Sequence, residues 1–201
     1  SATLLAGAAQ AVLVNPNNPD GRSHAPADLL ALRRKVGTLI VDESFADPVP
    51  ELSLAPQTGE PGLWVLRSFG KFYGLAGLRL GFALGAEAEA AALADLAGPW
   101  PVCGAAVEIG CTALADRPWA ATTRARLAED ARRLDALSPW PLLGGGSLFR
   151  RYDTPDAEAA QAHLARNRVW SRIFPWSPRL IRLGLPAAAE WDQVETAFSA
   201  L

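Results

Sequence analysis

Three short apolar runs, over residues 11–14, 38–41 and 63–66, punctuate the first third of the chain, and each ends where polar, glycine or proline residues begin. Runs with no polar alternation predict strands of a parallel sheet covered on both faces. Between the first two, Leu29, Leu30, Leu32 and Val36 fall near helical spacing. That spacing predicts a helix over 26–36, with Ser23 as a cap just upstream. Strand, helix, strand is the unit that a parallel sheet repeats. A further strand is expected over 78–84, followed by an alanine-rich helix over 86–97.

The sequence Gly98-Pro99-Trp100-Pro101 then breaks the pattern. Beyond it the periodicity predicts helices over 104–115 and 118–137. After Gly144-Gly145-Gly146 come strands over 147–152, 169–173 and 180–183, with helices over 156–166 and 188–200. The fold class is therefore α/β, a mostly parallel sheet with flanking helices over 1–100, joined through a helical connection to a small α+β domain within 101–201.

Composition narrows the field. The 201 residues are 50% hydrophobic and 20% charged, which suits one substantial core or two small ones. A net charge of -2 gives no electrostatic footprint for nucleic acid or an anionic membrane surface. No apolar run approaches the roughly 20 residues that span a bilayer. Cys103 and Cys111 form no disulfide framework and lack metal-ligand spacing, so they read as buried thiols of a reducing, cytoplasmic compartment. No metal site is expected. The seven tryptophans lack basic clustering and are assigned to core or interface, and His24 and His163 to surface or capping roles.

Each of the first three strands delivers polar groups at its carboxyl end, the edge at which open α/β sheets bind ligands. They are Asn15-Pro16-Asn17-Asn18-Pro19-Asp20-Gly21-Arg22, Asp42-Glu43-Ser44-Phe45 and Ser68-Phe69-Gly70-Lys71. Singly these are a turn signal, a helix cap and a solvent loop. At three successive strand ends they point to one site. Lysine occurs only as Lys35 and Lys71. A lysine kept in a glycine-rich loop of an arginine-rich chain suggests chemistry that a guanidinium cannot do, since a primary amine can lose its proton and condense with a carbonyl. A nucleotide-binding loop is a weaker reading, because Val65 stands where a P-loop carries glycine and no Gly-x-Gly-x-x-Gly follows a strand.

These residues resemble the fold-type-I enzymes that use pyridoxal 5′-phosphate, in the class I/II aminotransferase branch. The resemblance rests on Asn-Pro-x-Gly, Asp-x-x-aromatic and Ser-x-x-Lys followed by Arg79-Leu80-Gly81, in that order. It is dense over 11–85 and thinner from 140 to 186. Within the branch, Asp42-Glu43-Ser44-Phe45 and the stretch from Arg67 to Gly81 look most like threonine-phosphate decarboxylases of cobalamin biosynthesis, with histidinol-phosphate aminotransferases next.

The resemblance implies roles for individual residues. Lys71 is the covalent anchor of the cofactor aldehyde and the proton shuttle, an amine whose pKa must be lowered by desolvation or neighbouring cations. Asp42 pairs with the pyridine nitrogen and keeps it protonated. Asn18 hydrogen-bonds the ring's 3′-oxygen, while Ser68 and Arg79 hold the cofactor phosphate. Arg182, late in the chain on a strand, clamps the substrate α-carboxylate, and Arg172 lies near the substrate's distal phosphate. Phe45 replaces a tyrosine that many aminotransferases carry, which removes a donor to the 3′-oxygen and agrees with the decarboxylase reading.

The implied reaction is decarboxylation of L-threonine O-3-phosphate. Transamination of histidinol phosphate or a related amino acid is the alternative, and a fold retained without activity is a third reading. The first two use the same lysine, aspartate and arginines and differ by a rotation about one substrate bond. Relatives in this branch also have an N-terminal arm and a first stretch of the large domain that supply a phosphate-binding turn at a helix N-terminus. The chain is therefore expected to be the later part of a longer, homodimeric enzyme acting on a small phosphorylated amino acid.

Overall fold

The structure, a computed structural model, describes residues 5–200. It divides into two compact units: Ser1–Asn17 with Ser23–Ala120, and Asn18–Arg22 with Ala121–Leu201.

In the first unit, β1 (Gln10–Val14), β2 (Thr38–Asp42), β3 (Leu63–Ser68) and β4 (Gly81–Leu84) form one sheet in that order. β1, β2 and β3 run parallel, and β4 returns antiparallel to β3, with Ser68 opposite Gly81. The parallel strands are in close register, so that Val14, Asp42 and Leu66 form one row. Helix α1 (Pro26–Arg33) packs Leu29 and Leu32 against Ala11, Leu39, Val41 and Val65.

That packing serves one face only. Ala11 is buried but Val12 is 64% exposed, and Leu39 and Val41 are buried where Ile40 is not. The unalternating apolar runs predicted cover on both faces; within this unit the second face is open. The α1 cap also differs from expectation. Ala25 occupies the N-cap without a side-chain hydrogen bond, and Pro26 begins the helix, a position where a missing N–H costs nothing. The strand expected over 78–84 starts only at Gly81, because Ala76–Leu78 is a turn of 3-10 helix and Arg79 follows in the left-handed region at φ 53°.

Helices α2 (Glu87–Ala97) and α3 (Gly104–Ala115) complete the first unit. α3 packs through its small residues Ala106 and Gly110; a Cβ at Gly110 would meet Leu80 at 2.6 Å. This choice of face leaves Cys103 and Cys111 exposed, contrary to the buried thiols expected.

Helix α4 (Arg117–Leu137) begins in the first unit and continues in the second. There an antiparallel sheet has the order β5 (Leu142–Gly146), β6 (Phe149–Asp153), β8 (Ser177–Gly184), β7 (Arg172–Phe174). α5 (Ala157–Arg166) is capped by Asp156, whose carboxylate accepts from Glu158 and Ala159. α6 (Trp191–Ser199) buries Trp191, Val194, Ala197 and Phe198, one helical face. The core gathers these with Leu134, Tyr152, Leu164, Ile181 and Leu183. Of the seven tryptophans only Trp191 is buried, and Trp100, Trp119, Trp170 and Trp176 are exposed.

Two strand assignments are corrected here. The strands expected only after the triple glycine begin before it: the three glycines end β5 and pair with Phe149–Arg151, and the strand expected over 147–152 starts at Phe149. The strand placed over 169–173 starts at Arg172, because Arg168 turns the chain at φ 61° while the Val169 amide still bonds Leu164.

Candidate active site

The site residues on the first unit lie at the carboxyl ends of its parallel strands. Asp42 is the last residue of β2, on the open face between Val14 and Leu66. Ser44 turns back to donate its backbone N–H (2.9 Å) and its hydroxyl (2.6 Å) to Asp42 Oδ1. Oδ2 accepts no hydrogen bond from the described residues, which leaves it for a further donor. Ser68 ends β3, and its hydroxyl accepts from the Gly70 amide at 3.2 Å, which shapes the loop carrying Lys71.

Two buried rings pin that loop. Phe69 stacks on Tyr73 at 4.4 Å between centroids, and Phe72 meets the Trp119 ring edge-on at 5.4 Å. Between them Lys71 stays exposed, with Nζ 5.7 Å from the centre of the Phe45 ring. Arg79 donates to the Ala76 carbonyl at 3.3 Å, two residues from the Gly81 that faces Ser68.

Sequence reading missed the scaffold behind these groups. Glu43, next to Asp42, is fully buried and accepts from the Ser53 hydroxyl, the Leu54 amide and Arg67. Arg67, next to Ser68, also pairs with Asp47. A buried carboxylate is tolerable only when its oxygens are satisfied in this way, so the network locks the ends of β2 and β3 together. Asn15 plays a similar part. Its amide donates to the Asp42 carbonyl, and its side chain bonds the His24 N–H and C=O at 2.8 and 3.1 Å, closing the loop over 16–23. The signal available was adjacency: Glu43 and Arg67 each neighbour a candidate site residue.

The remaining candidates meet on the second unit. Arg182 of β8 lies opposite Arg172 of β7 and donates to Asn18 Oδ1. Its guanidinium sits 5.3 Å from the centre of the Phe149 ring. Burial, and then the charge of Arg172, hold the Arg182 guanidinium below its ordinary pKa. Neither arginine has a carboxylate partner among the described residues. Arg172 lines a cavity of about 540 Å³ with Trp170, Gln161 and Ser171, whose buried hydroxyl has no partner.

The donor set suits a pyridoxal phosphate. An acid with one held and one open oxygen matches a ring N–H, a hydroxyl and a guanidinium at one hairpin end match a phosphate, and an exposed amine matches an aldehyde.

Comparison with known proteins places this arrangement. The family profile for aminotransferase class I and II matches residues 6–201. The threonine-phosphate decarboxylase of Pseudomonas aeruginosa is 46% identical over 194 residues, covering 92% of this chain and 58% of that protein. The enzyme of the same description from a Sinorhizobium species is 42% identical over 189 residues, covering 90% and 56%. The chain thus spans less than two thirds of these relatives' length. The histidinol-phosphate aminotransferase of Sinorhizobium meliloti, solved in complex with pyridoxal 5′-phosphate, superposes with a TM-score of 0.83 at 24% identity, over 96% of this chain and 56% of that one. With a family profile spanning all but its first five residues and a relative at 46% identity, the chain belongs to the class I and II aminotransferase family.

Proposed function

We propose that this chain carries the pyridoxal phosphate anchor and the substrate arginines of a decarboxylase acting on L-threonine O-3-phosphate, a lyase that supplies the aminopropanol phosphate of the cobalamin side chain. The observation that carries the reading is the pairing of two chemistries at one sheet edge: Asp42, oriented by Ser44, and Lys71, presented by a loop pinned through Phe69 and Phe72. The decarboxylase subtype draws its support from the 46% and 42% identities to proteins of that description over about nine tenths of the chain, against 35% over 76% of it to histidinol-phosphate aminotransferases of Mycobacterium.

Pyridoxal phosphate, when bound, supplies an electron sink for the pair left on Cα as CO2 departs. Asp42 serves that sink by holding the proton on the ring nitrogen, and Ser44 holds Asp42 in turn. Ser68 and Arg79 donate to the cofactor phosphate, and Asn18 to the 3′-oxygen. Lys71 Nζ would hold the cofactor through its aldehyde, and its amine would be the group that returns a proton to the substrate. Arg182 would grip the substrate carboxylate and so set the orientation of the substrate, while Arg172 would take the distal phosphate. The complete protein acts as a homodimer.

The test uses full-length protein with pyridoxal phosphate. CO2 release from L-threonine O-3-phosphate is expected, together with a pyridoxyl label on Lys71 after borohydride reduction and peptide mapping. Transamination of histidinol phosphate without CO2 release would move the reading to an aminotransferase. Absence of label at Lys71 would end both.

A further inference from the structure

The second unit's sheet has two faces of different chemistry. Tyr152, Ile181 and Leu183 point into the core. On the other face one register row runs across all four strands, pairing Gly144 of β5 with Arg151 of β6, Arg151 with Arg182 of β8, and Arg182 with Arg172 of β7. Directly opposed residues share a face at roughly 5 Å, so the row sets three guanidinium-bearing side chains on adjacent strands. Like charges placed opposite one another oppose folding.

Elsewhere in the same unit most sheet and long-helix arginines are neutralised, while Arg22, Arg166 and Arg168 are not among the described residues. Arg126, Arg132, Arg133, Arg150 and Arg179 each pair with an aspartate or glutamate. Arg151, Arg172 and Arg182 pair with none among the described residues. Of the three, Arg151 is the one with a buried donor left unmade. Its Nε is buried without a partner, and its Nη2 reaches only the Leu143 carbonyl at 3.3 Å, beside the space left by Gly144. A buried N–H left unmade is expensive, and a row of cations kept without counter-ions is a cost that an anionic ligand reverses.

We propose that Arg151 is a specificity-determining residue of this site: as the third guanidinium of the row with Arg182 and Arg172, it selects a substrate bearing a dianionic phosphate over one bearing only single charges. This rests on the reading that Arg182 and Arg172 receive the substrate's anionic groups. Two guanidiniums balance a carboxylate and a phosphate monoanion; the third matches the second phosphate charge, which forms with a pKa of about 6. Arg151 acts through its field and through the orientation of the row, so its removal weakens binding rather than the bond-breaking step.

The experiment compares full-length wild type, R151Q and R151K, each loaded with pyridoxal phosphate. It measures KM and kcat for L-threonine O-3-phosphate and the inhibition constant of inorganic phosphate, at pH 5.5 and pH 7.5. In wild type, both KM and the inhibition constant fall as pH rises through about 6. In R151Q both rise about tenfold at pH 7.5 with kcat within about twofold, and the pH dependence flattens. R151K, which keeps the charge, stays within about threefold of wild type.

Unchanged constants in R151Q would overturn the proposal, and so would a fall in kcat with KM unmoved, or equal damage in R151K. Should R151Q not fold, wild type and R151K decide: a phosphate inhibition constant indifferent to pH sinks the idea. Phosphate inhibition is read whether the protein decarboxylates or transaminates, so failure of the decarboxylase reading and failure of the Arg151 role remain distinguishable.

Discussion

At the scale of single residues, the buried charges carry the clearest consequences. Glu43 holds Arg67, Ser53 and the Leu54 amide at the ends of β2 and β3. Glu43→Gln leaves the Arg67 guanidinium with Asp47 as its one carboxylate partner in this network and is expected to cost about 3 kcal/mol of stability, measured by urea unfolding; a loss below about 1 kcal/mol would show that Asp47 suffices. Tyr152 offers a pH-dependent test. Burial, then its hydrogen bond to Asp135 at 2.8 Å, raises the phenol pKa far above its usual value. A raised folded pKa means a stabilising contribution that is complete below the unfolded value near 10 and is lost as pH climbs beyond it. Tyr152→Phe should therefore cost about 1 kcal/mol at pH 7, where the hydrogen bond is lost, and match or exceed wild type in urea unfolding at pH 11. The strand-end candidates were legible in the sequence because Asp42 follows one apolar run directly and Ser68 and Lys71 lie in the loop just past another. The Glu43–Arg67–Asp47 network was not, since Arg67 lies 24 residues from Glu43 and 20 from Asp47 and meets them only when β2 and β3 pair.

At the scale of elements, apolar periodicity located β1, β2, β3 and most helices, since side-chain burial is what writes the pattern. It failed where no side chain writes one. β5 ends in three glycines, of which the first two are required by close approach: Gly144 has φ 143°, and a Cβ there would lie 2.8 Å from the Asp20 carbonyl. Gly144→Ala is expected to cost about 2 kcal/mol or more. Gly146→Ala, with nothing within 4 Å of the added methyl, should stay within about 0.5 kcal/mol. Melting temperatures of the two variants check the contrast, and equal losses would refute the steric account. The antiparallel return of β4 was equally hidden, because strand direction is set by which neighbour completes the hydrogen bonds, a non-local matter.

At the scale of the whole molecule, the chain spans 58% and 56% of its decarboxylase relatives. The first unit leaves large apolar side chains in solvent, with Leu96 85% and Trp100 90% exposed on α2 and just beyond it. Exposed apolar surface of this kind binds hydrophobic dyes and partners. The 201-residue chain on its own is expected to enhance anilinonaphthalene sulfonate fluorescence, and Trp100→Ser to reduce that signal; dye binding unaffected by the substitution would place the sticky surface elsewhere. No helix among the described residues is long and apolar enough to cross a membrane. The amino-acid order alone determined the α/β class, the strand ends that carry Asp42, Ser68 and Lys71, and the family they resemble, because each is written in contiguous residues whose burial and turn chemistry are local. Only the folded chain decided that Glu43 and Arg67 brace the ends of β2 and β3, and that Arg151 joins Arg172 and Arg182 in one row. Those facts depend on which strands lie side by side and in what register, a choice that hydrogen bonding and packing make between residues far apart in sequence.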